Sequence, residues 1–146
     1  SPSIRPVQAA MMLAKLFKQE YEIVDDLKTR ACGKWNGLTY TQIMEKYPDG
    51  FTKILTEPDK TTVAEAESSV AFISRVKKVI DELVAKNIGN RIIIVTHPEV
   101  IQAAICAALE IPADKLPKIF IRTGSATQIS YFDEWASLVY SDYVPL

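Results

Sequence analysis

The chain has 146 residues, of which 48% are hydrophobic, so it is long enough and apolar enough to form one domain over residues 1–146. Its 17 basic and 18 acidic residues give a net charge of −1, which argues against nucleic acid or a membrane surface as its partner. No apolar run approaches the roughly 20 residues that a membrane-spanning helix needs.

The N-terminal region is predicted to contain a helix, a strand and a loop. Apolar residues on one face predict a helix over residues 6–18, with Pro6 at the first position, where its missing N–H costs nothing. A short strand is predicted over residues 20–27. The two glycines and mixed polarity of residues 28–38 predict a loop.

The middle of the chain carries clearer helix signals. Thr39 and Gln42 have capping-box spacing, which predicts a short helix ending near Tyr47. Weak periodicity over residues 49–67 and the lack of a strong strand predict a surface excursion. A regular apolar stripe predicts a long helix over residues 68–86, whose buried face contains Val70, Ile73, Val76, Ile80 and Leu83 or Val84.

The C-terminal half is predicted to alternate strands and helices. Residues 91–96 (RIIIVT) are apolar without alternation, which is typical of a strand buried on both faces of a parallel sheet. A helix is predicted over residues 98–110, and two further strands over 126–132 and 137–143. This alternation predicts an α/β sandwich.

The cysteine and histidine content argues against a metal centre. Cys32 and Cys106 lack metal-type spacing, and His97 is the only histidine. We therefore expect two free thiols in a reducing compartment, hence a cytoplasmic protein, and no metal or organic cofactor.

Two residues are candidates for binding an anion. His97 lies where a predicted strand ends and a helix begins, and helix N-termini suit phosphate. There it could ligate phosphate, act as an acid or be phosphorylated, although a packed, structural histidine is the alternative. Arg5 precedes the first predicted helix and offers a planar fork for phosphate, with a solvated surface arginine as the alternative.

Five segments resemble, in order, elements of the histidine phosphatase superfamily, the phosphoglycerate-mutase-like proteins. Residues 1–10 (SPSIRPVQAA) resemble Ser-Pro-x-x-Arg-Ala-x-Gln-Thr-Ala, and residues 27–40 (LKTRACGKWNGLTY) resemble its Leu-x-Glu-x-x-x-Gly-x-Trp-x-Gly-Leu-Thr-Tyr loop. Residues 66–75 resemble Gly-Glu-Ser with its downstream arginine. Residues 94–101 (IVTHPEVI) resemble Val-x-His-Gly-x-Val-Ile, and residues 124–129 resemble the lead into the next strand.

The resemblance implies a fold, a reaction and site residues. The fold is a three-layer αβα sandwich with a mostly parallel central sheet, and the reaction is hydrolysis of a phosphomonoester through a phosphohistidine.

Arg5 and His97 match the family's second arginine and second histidine, so the resemblance implies that both would bind phosphate and that His97 would be catalytic. Thr29 and Arg30 lie where the loop contacts substrate, although Arg30 is open to interpretation as an exposed loop charge. The partner would be phosphate or a small phosphorylated substrate, and a homodimer is possible because the family includes dimers.

The sequence departs from the family at its most important motif. The Arg-His-Gly segment that supplies the nucleophilic histidine is absent from the 146 residues. We therefore expect the sequence to be the C-terminal part of a domain whose sheet is incomplete at the N-terminus, and to be inactive as it stands. A preceding segment with Arg-His-Gly would restore the nucleophile.

Two further departures concern residues that would contact the substrate. Thr29 takes the position of the common loop glutamate, and threonine is not a general acid near neutral pH, which leaves Asp25, Asp26 and Glu99 as substitutes. Pro98 replaces the usual glycine after the histidine and removes a backbone donor. We expect Glu99 to point outward and complement the helix dipole.

Three functional hypotheses follow. The first is a histidine-phosphatase-family hydrolase of a phosphomonoester. The second is a pseudoenzyme that keeps the fold as a phosphate-ligand or protein-binding module. The third is an unrelated α/β domain with a structural His97.

Overall fold

A computed structural model of the protein describes residues 1–57, 63 and 65–144. Within those residues the chain forms, in order, α1 (Ile4–Phe17), α2 (Tyr40–Lys46), α3 (Gly50–Thr56), α4 (Ser69–Lys86), α5 (Pro98–Ala108), β1 (Ala126–Tyr131) and β2 (Ala136–Tyr143). Short 3-10 helices lie at Asp25–Leu27, Gly33–Trp35 and Ala113–Lys118. The mixture of helix and strand agrees with the predicted α/β class.

Helices α2 and α4 begin at side-chain caps, as their sequences predict. The Thr39 hydroxyl accepts from the Gln42 N–H at 3.3 Å, and the Gln42 side chain accepts from the Thr39 N–H at 2.8 Å, which completes the capping box. At α4 the Ser68 hydroxyl accepts from the Ala71 N–H at 3.1 Å. Each cap satisfies backbone donors that a helix start leaves without partners inside the helix.

The main core lies between α4 and α5. Its buried members come from both helices, from the 3-10 helix that precedes the first loop, and from the one that follows α5: Leu27, Phe72, Val76, Val79, Ile80, Val100, Ala103, Cys106 and Leu116. Val70, predicted as part of the buried stripe of α4, is exposed instead. The stripe is centred on Phe72 and Val76, because those positions face α5.

The strand predicted over residues 20–27 is wrong, and the one predicted over residues 91–96 has no paired neighbour among the described residues. Neither forms a sheet ladder in the described structure, and residues 25–27 form a 3-10 turn. The 91–96 segment is not buried on both faces, since Ile92 is 41% and Ile93 is 65% exposed. An apolar β-branched run favours a strand, but a strand also needs a hydrogen-bonded neighbour, and no described segment provides one.

The observed sheet is a two-stranded antiparallel hairpin. β1 and β2 pair from Tyr131 opposite Ala136 to Ala126 opposite Tyr143, with irregular register near Gln128. Both strands were predicted within one residue of their observed ends, and the hairpin packs against α5. The described sheet therefore contains antiparallel pairing where the sequence predicted mostly parallel strands.

A smaller hydrophobic cluster lies between the loop of residues 28–38, helix α2 and residue 63. Trp35, Ile43 and Val63 are buried together, and the rings of Trp35 and Tyr47 lie 6.1 Å apart. The surface excursion predicted over residues 49–67 contains the helix α3, which is too short to give a periodic signal in the sequence. Residues 58–62 and 64 of that stretch lie outside the described residues.

We expect Phe72→Ala to lower the free energy of unfolding by about 3–5 kcal/mol, because the ring is fully buried between α4 and α5 and its loss leaves a cavity. Val70→Ala, on the exposed side of the same helix, should change it by only about 0.5 kcal/mol. Urea unfolding of the full-length protein measures both. Equal losses for the two variants would contradict this assignment of the α4 faces.

Candidate functional site

Three segments meet at one end of α5. The Ser1 nitrogen, three residues before α1, donates to the Val95 carbonyl at 3.3 Å. The Thr96 hydroxyl donates to the Leu27 carbonyl at 3.0 Å, so the loop after residue 27 begins beside the end of the 91–97 segment. We call the group formed by Arg5, Thr29, Arg30, His97 and Glu99 the junction site.

His97 is the N-cap residue of α5, with extended backbone angles of −95° and 154°. Its Nε2 atom is buried and has no hydrogen-bond partner in the structure. Burial, and then the positive charge of Arg5, lower the pKa of His97 below its ordinary value, so the imidazole is neutral at neutral pH. The ring therefore presents an unsatisfied nitrogen at a helix N-terminus.

Arg5 lies in the first turn of α1 and not before it, because the helix begins at Ile4. The side chain is exposed, and its charge reaches His97. The nearby Ser1 hydroxyl is a second buried polar atom without a partner. Arg5 is thus close enough to His97 for its charge to act on the imidazole.

Arg30 is held on two sides and is not a solvated loop charge, since its side chain is only 16% exposed. Its Nη1 donates to the Ser69 hydroxyl at 3.0 Å, and its Nε lies 3.4 Å from Glu99 Oε1.

The expectation that Glu99 points outward is wrong, because its carboxylate faces Arg30 from the first turn of α5. Thr29 is exposed, and its backbone carbonyl accepts from Arg75 at 3.5 Å.

The loop that carries Arg30 is fixed by Arg75, whose role sequence reasoning missed. From α4, Arg75 donates to both carboxylate oxygens of Glu67 at 2.8 and 2.7 Å. It also donates to the backbone carbonyls of Asp26, Lys28 and Thr29. The family-like run at residues 66–75 contained both ionic partners, but the carbonyl contacts depend on a loop more than 40 residues away.

Two carboxylates close to this loop have opposite environments. Burial alone would raise the pKa of Glu67, but the bonds from Arg75 and from the Ala31 N–H outweigh it, so that pKa lies below its ordinary value. Burial raises the pKa of Glu99, and the weaker attraction of Arg30 only partly opposes it. Glu67 is thus an ionised structural partner, whereas Glu99 holds a proton more readily than an exposed glutamate.

Neither a metal cluster nor a membrane span is found in the described part of the chain. No group of three or more His, Cys, Asp or Glu side chains there is arranged to hold a metal ion. No helix among those residues is long and apolar enough to cross a membrane.

Comparison with known proteins gives a consistent result. A sequence model described as histidine phosphatase superfamily (branch 1) matches residues 1–142. The chain is 28% identical over 115 residues to phosphoserine phosphatase 1 of Hydrogenobacter thermophilus, which covers 79% of this chain and 54% of that protein. The chain thus spans about half the length of that relative.

Two solved structures share the fold. YhfR of Bacillus stearothermophilus superposes with a TM-score of 0.90 at 20% identity, covering 99% of this chain and 72% of that one. A mycobacterial glucosyl-3-phosphoglycerate phosphatase in complex with inorganic phosphate superposes with a TM-score of 0.86 at 23% identity, covering 98% and 74%. At these identities the likeness concerns the fold alone.

We expect the free energy of unfolding to fall less steeply between pH 7 and pH 3 in Glu67→Gln than in the wild type. The folded-state pKa of Glu67 is lowered, so its contribution is present above its ordinary pKa of 4.5 and is lost as pH falls through the folded value. Urea unfolding of the full-length protein from pH 7 to pH 3 measures this, with the exposed Glu82→Gln as control. Parallel profiles for wild type and Glu67→Gln would contradict the assignment.

We expect Arg5→Ala to raise the pKa of His97, because the positive charge of Arg5 is one of its two main depressing influences. NMR titration of the imidazole in the full-length protein measures the change, and His97→Asn assigns the signal. Arg91→Ala, an exposed arginine at the other end of the 91–97 segment, is the matched control. An unchanged titration in Arg5→Ala would show that the two side chains do not face one site.

Proposed function

The chain belongs to the histidine phosphatase superfamily (branch 1), and we propose that it supplies the phosphate-binding part of an active site that hydrolyses a small phosphomonoester. The observation that carries the proposal is the buried, unpartnered Nε2 of His97 beside Arg5. A buried polar atom without a partner is costly, and a bound phosphate oxygen would satisfy it.

The chemistry of the two side chains suits a phosphoryl group. The guanidinium of Arg5 is always charged and matches phosphate oxygens with parallel donors. The neutral imidazole of His97 lies at the N-cap of α5, where the positive end of the helix dipole favours an anion. A phosphate dianion placed there would favour the protonated imidazole and gain a second charged partner.

In the proposed reaction a histidine takes the phosphoryl group from the substrate and water then releases inorganic phosphate. His97 is the only histidine of the 146 residues, and it matches the second, phosphate-holding histidine of the family. We therefore assign the nucleophile to a histidine outside these residues, and expect the chain as it stands to bind phosphate without hydrolysing esters. In the transition state Arg5 and His97 would stabilise the charge on the transferring oxygens.

We assign the substrate to small phosphorylated metabolites of the cytoplasm. Names among the similar proteins, a phosphoserine phosphatase and a glucosyl-3-phosphoglycerate phosphatase, support this class. Arg30 is the residue of the junction site that we assign to the organic part of the substrate. The two free thiols, Cys32 and Cys106, support the reducing compartment.

We also propose that the 91–96 segment is a central strand of a three-layer sandwich with a mostly parallel sheet. Its two exposed isoleucines, Ile92 and Ile93, favour this, since they would be covered by helices on both faces of such a sheet. The high TM-scores over nearly the whole chain also favour it.

A phosphate-binding pseudoenzyme is the second candidate. Thr29, at the position of the family's acid, and Pro98, which lacks a backbone donor at the start of α5, favour it. The two candidates differ in ester hydrolysis by the full-length protein, since only the first releases phosphate.

We expect Arg5→Ala and His97→Asn each to weaken inorganic phosphate binding by about 10-fold to 100-fold, because each removes a charge-assisted hydrogen bond worth roughly 1.5–3 kcal/mol. Calorimetry on the full-length protein measures binding, and phosphate release from phosphoserine and p-nitrophenyl phosphate measures turnover. Arg91→Ala is the control and should match wild type in both.

Each outcome separates the hypotheses. Phosphate binding with turnover supports the phosphatase, and phosphate binding without turnover of any phosphomonoester supports the pseudoenzyme. Wild-type phosphate affinity in both variants would contradict the assignment of Arg5 and His97 and favour a structural His97.

A further inference from the structure

The loop lacks a carboxyl group at the position where the family has its acid. Thr29 occupies that position, and its hydroxyl does not ionise near neutral pH. Asp25 and Asp26 are exposed, and the Asp26 carbonyl is tied to Arg75. A hydrolase that releases an alcohol therefore needs its proton from another side chain.

Glu99 reaches the same place from a different element. It lies in the first turn of α5, two residues after His97. Its Oε2 is 3.4 Å from the Arg30 peptide nitrogen, which is the amide that directly follows Thr29. Its Oε1 is 3.4 Å from Arg30 Nε. The carboxyl group of Glu99 thus lies against the backbone at the position of the missing loop acid, at the same end of α5 as His97.

We propose that Glu99 is the proton donor to the leaving group, replacing the loop acid that Thr29 lacks. The inference rests on the proposed phosphatase function. The carboxyl group is substantially buried yet still reachable, with 32% of its side chain exposed.

The surroundings of Glu99 favour a carboxyl group that carries a proton when substrate is bound. The groups that face it are Arg30 from the loop, Glu67 before α4, and Arg75 on α4. Arg75 is already bound to both oxygens of Glu67 at 2.7–2.8 Å, whereas Arg30 approaches Glu99 no closer than 3.4 Å. Glu99 is therefore the less neutralised of the two carboxylates, and its pKa is raised where that of Glu67 is lowered. Environments that separate two carboxylates in this way are typical of acid–base assignments.

The proposed step conserves atoms and charge. A histidine nitrogen attacks phosphorus, the P–O bond to the leaving oxygen breaks, and that oxygen takes the carboxyl proton of Glu99 to leave as an alcohol. The Glu99 carboxylate then takes a proton from the water that attacks the phosphohistidine. The P–N bond breaks, inorganic phosphate forms, and the carboxyl group and the histidine are restored.

The test compares two substrates in the full-length protein. Phosphoserine leaves as an alkoxide that needs a proton, whereas p-nitrophenyl phosphate leaves as a stable phenolate that does not. We expect Glu99→Gln to lower kcat for phosphoserine by about 100-fold or more and to leave p-nitrophenyl phosphate little changed. The double variant Thr29→Glu with Glu99→Gln should recover part of the phosphoserine rate.

Control variants separate proton donation from positioning. Glu67→Gln, which loosens the Arg75 contacts, should lower both substrates by similar factors, and the exposed Glu82→Gln should lower neither. If Glu99→Gln lowers both substrates equally, or neither, Glu99 is not the proton donor and the proposal is overturned. If the wild-type protein releases phosphate from neither substrate while still binding phosphate, the phosphatase function itself fails, and this inference fails with it.

Discussion

The arrangement of the junction site depends on one guanidinium group. Arg75, on α4, binds Glu67 and also donates to three backbone carbonyls, those of Asp26, Lys28 and Thr29. Irregular backbone that leaves its carbonyls without partners is costly, and a planar fork with five donors is the side chain best suited to satisfy several at once. Because the loop is tied to α4, which is itself packed on α5, Arg30 and the start of α5 keep a fixed separation.

The contacts of Arg75 also explain how two glutamates near one loop take different roles. Glu67 receives two short charge-assisted bonds and is thereby committed to the loop. Glu99 receives only contacts of 3.4 Å, from the peptide nitrogen and Nε of Arg30, whose Nη1 donates to the Ser69 hydroxyl instead. Burial without full neutralisation makes ionisation of Glu99 unfavourable. Arg75 thus commits Glu67 to a structural role, whereas the looser contact with Arg30 leaves Glu99 suited to the proton transfer that we propose.

The sequence predicted features that depend on neighbouring residues and missed those that depend on distant ones. The capping box of Thr39 and the periodic helix α4 are local signals, and both are confirmed. The strand predicted over residues 91–96 has no described partner, because pairing depends on another segment of the chain. The inward direction of Glu99 was missed because its partner, Arg30, lies 69 residues away in sequence. Arg5 and His97 were candidates from their positions, with a surface arginine and a packed histidine as the alternatives, and the motif resemblance is what favoured a phosphate-binding role for both.

If the junction site binds phosphate as proposed, anion binding and protonation would be coupled there. His97 has a lowered pKa because it is partly buried beside Arg5, and Glu99 has a raised pKa because it is buried with incomplete pairing. A phosphate dianion between them would raise both values, since negative charge favours the protonated form of an imidazole and of a carboxyl group alike. Binding would therefore favour protonation of both groups, which under the proposed function hold the phosphoryl oxygens and protonate the leaving oxygen. The positive charge of Arg30, 3.4 Å from Glu99, opposes protonation of that carboxyl group.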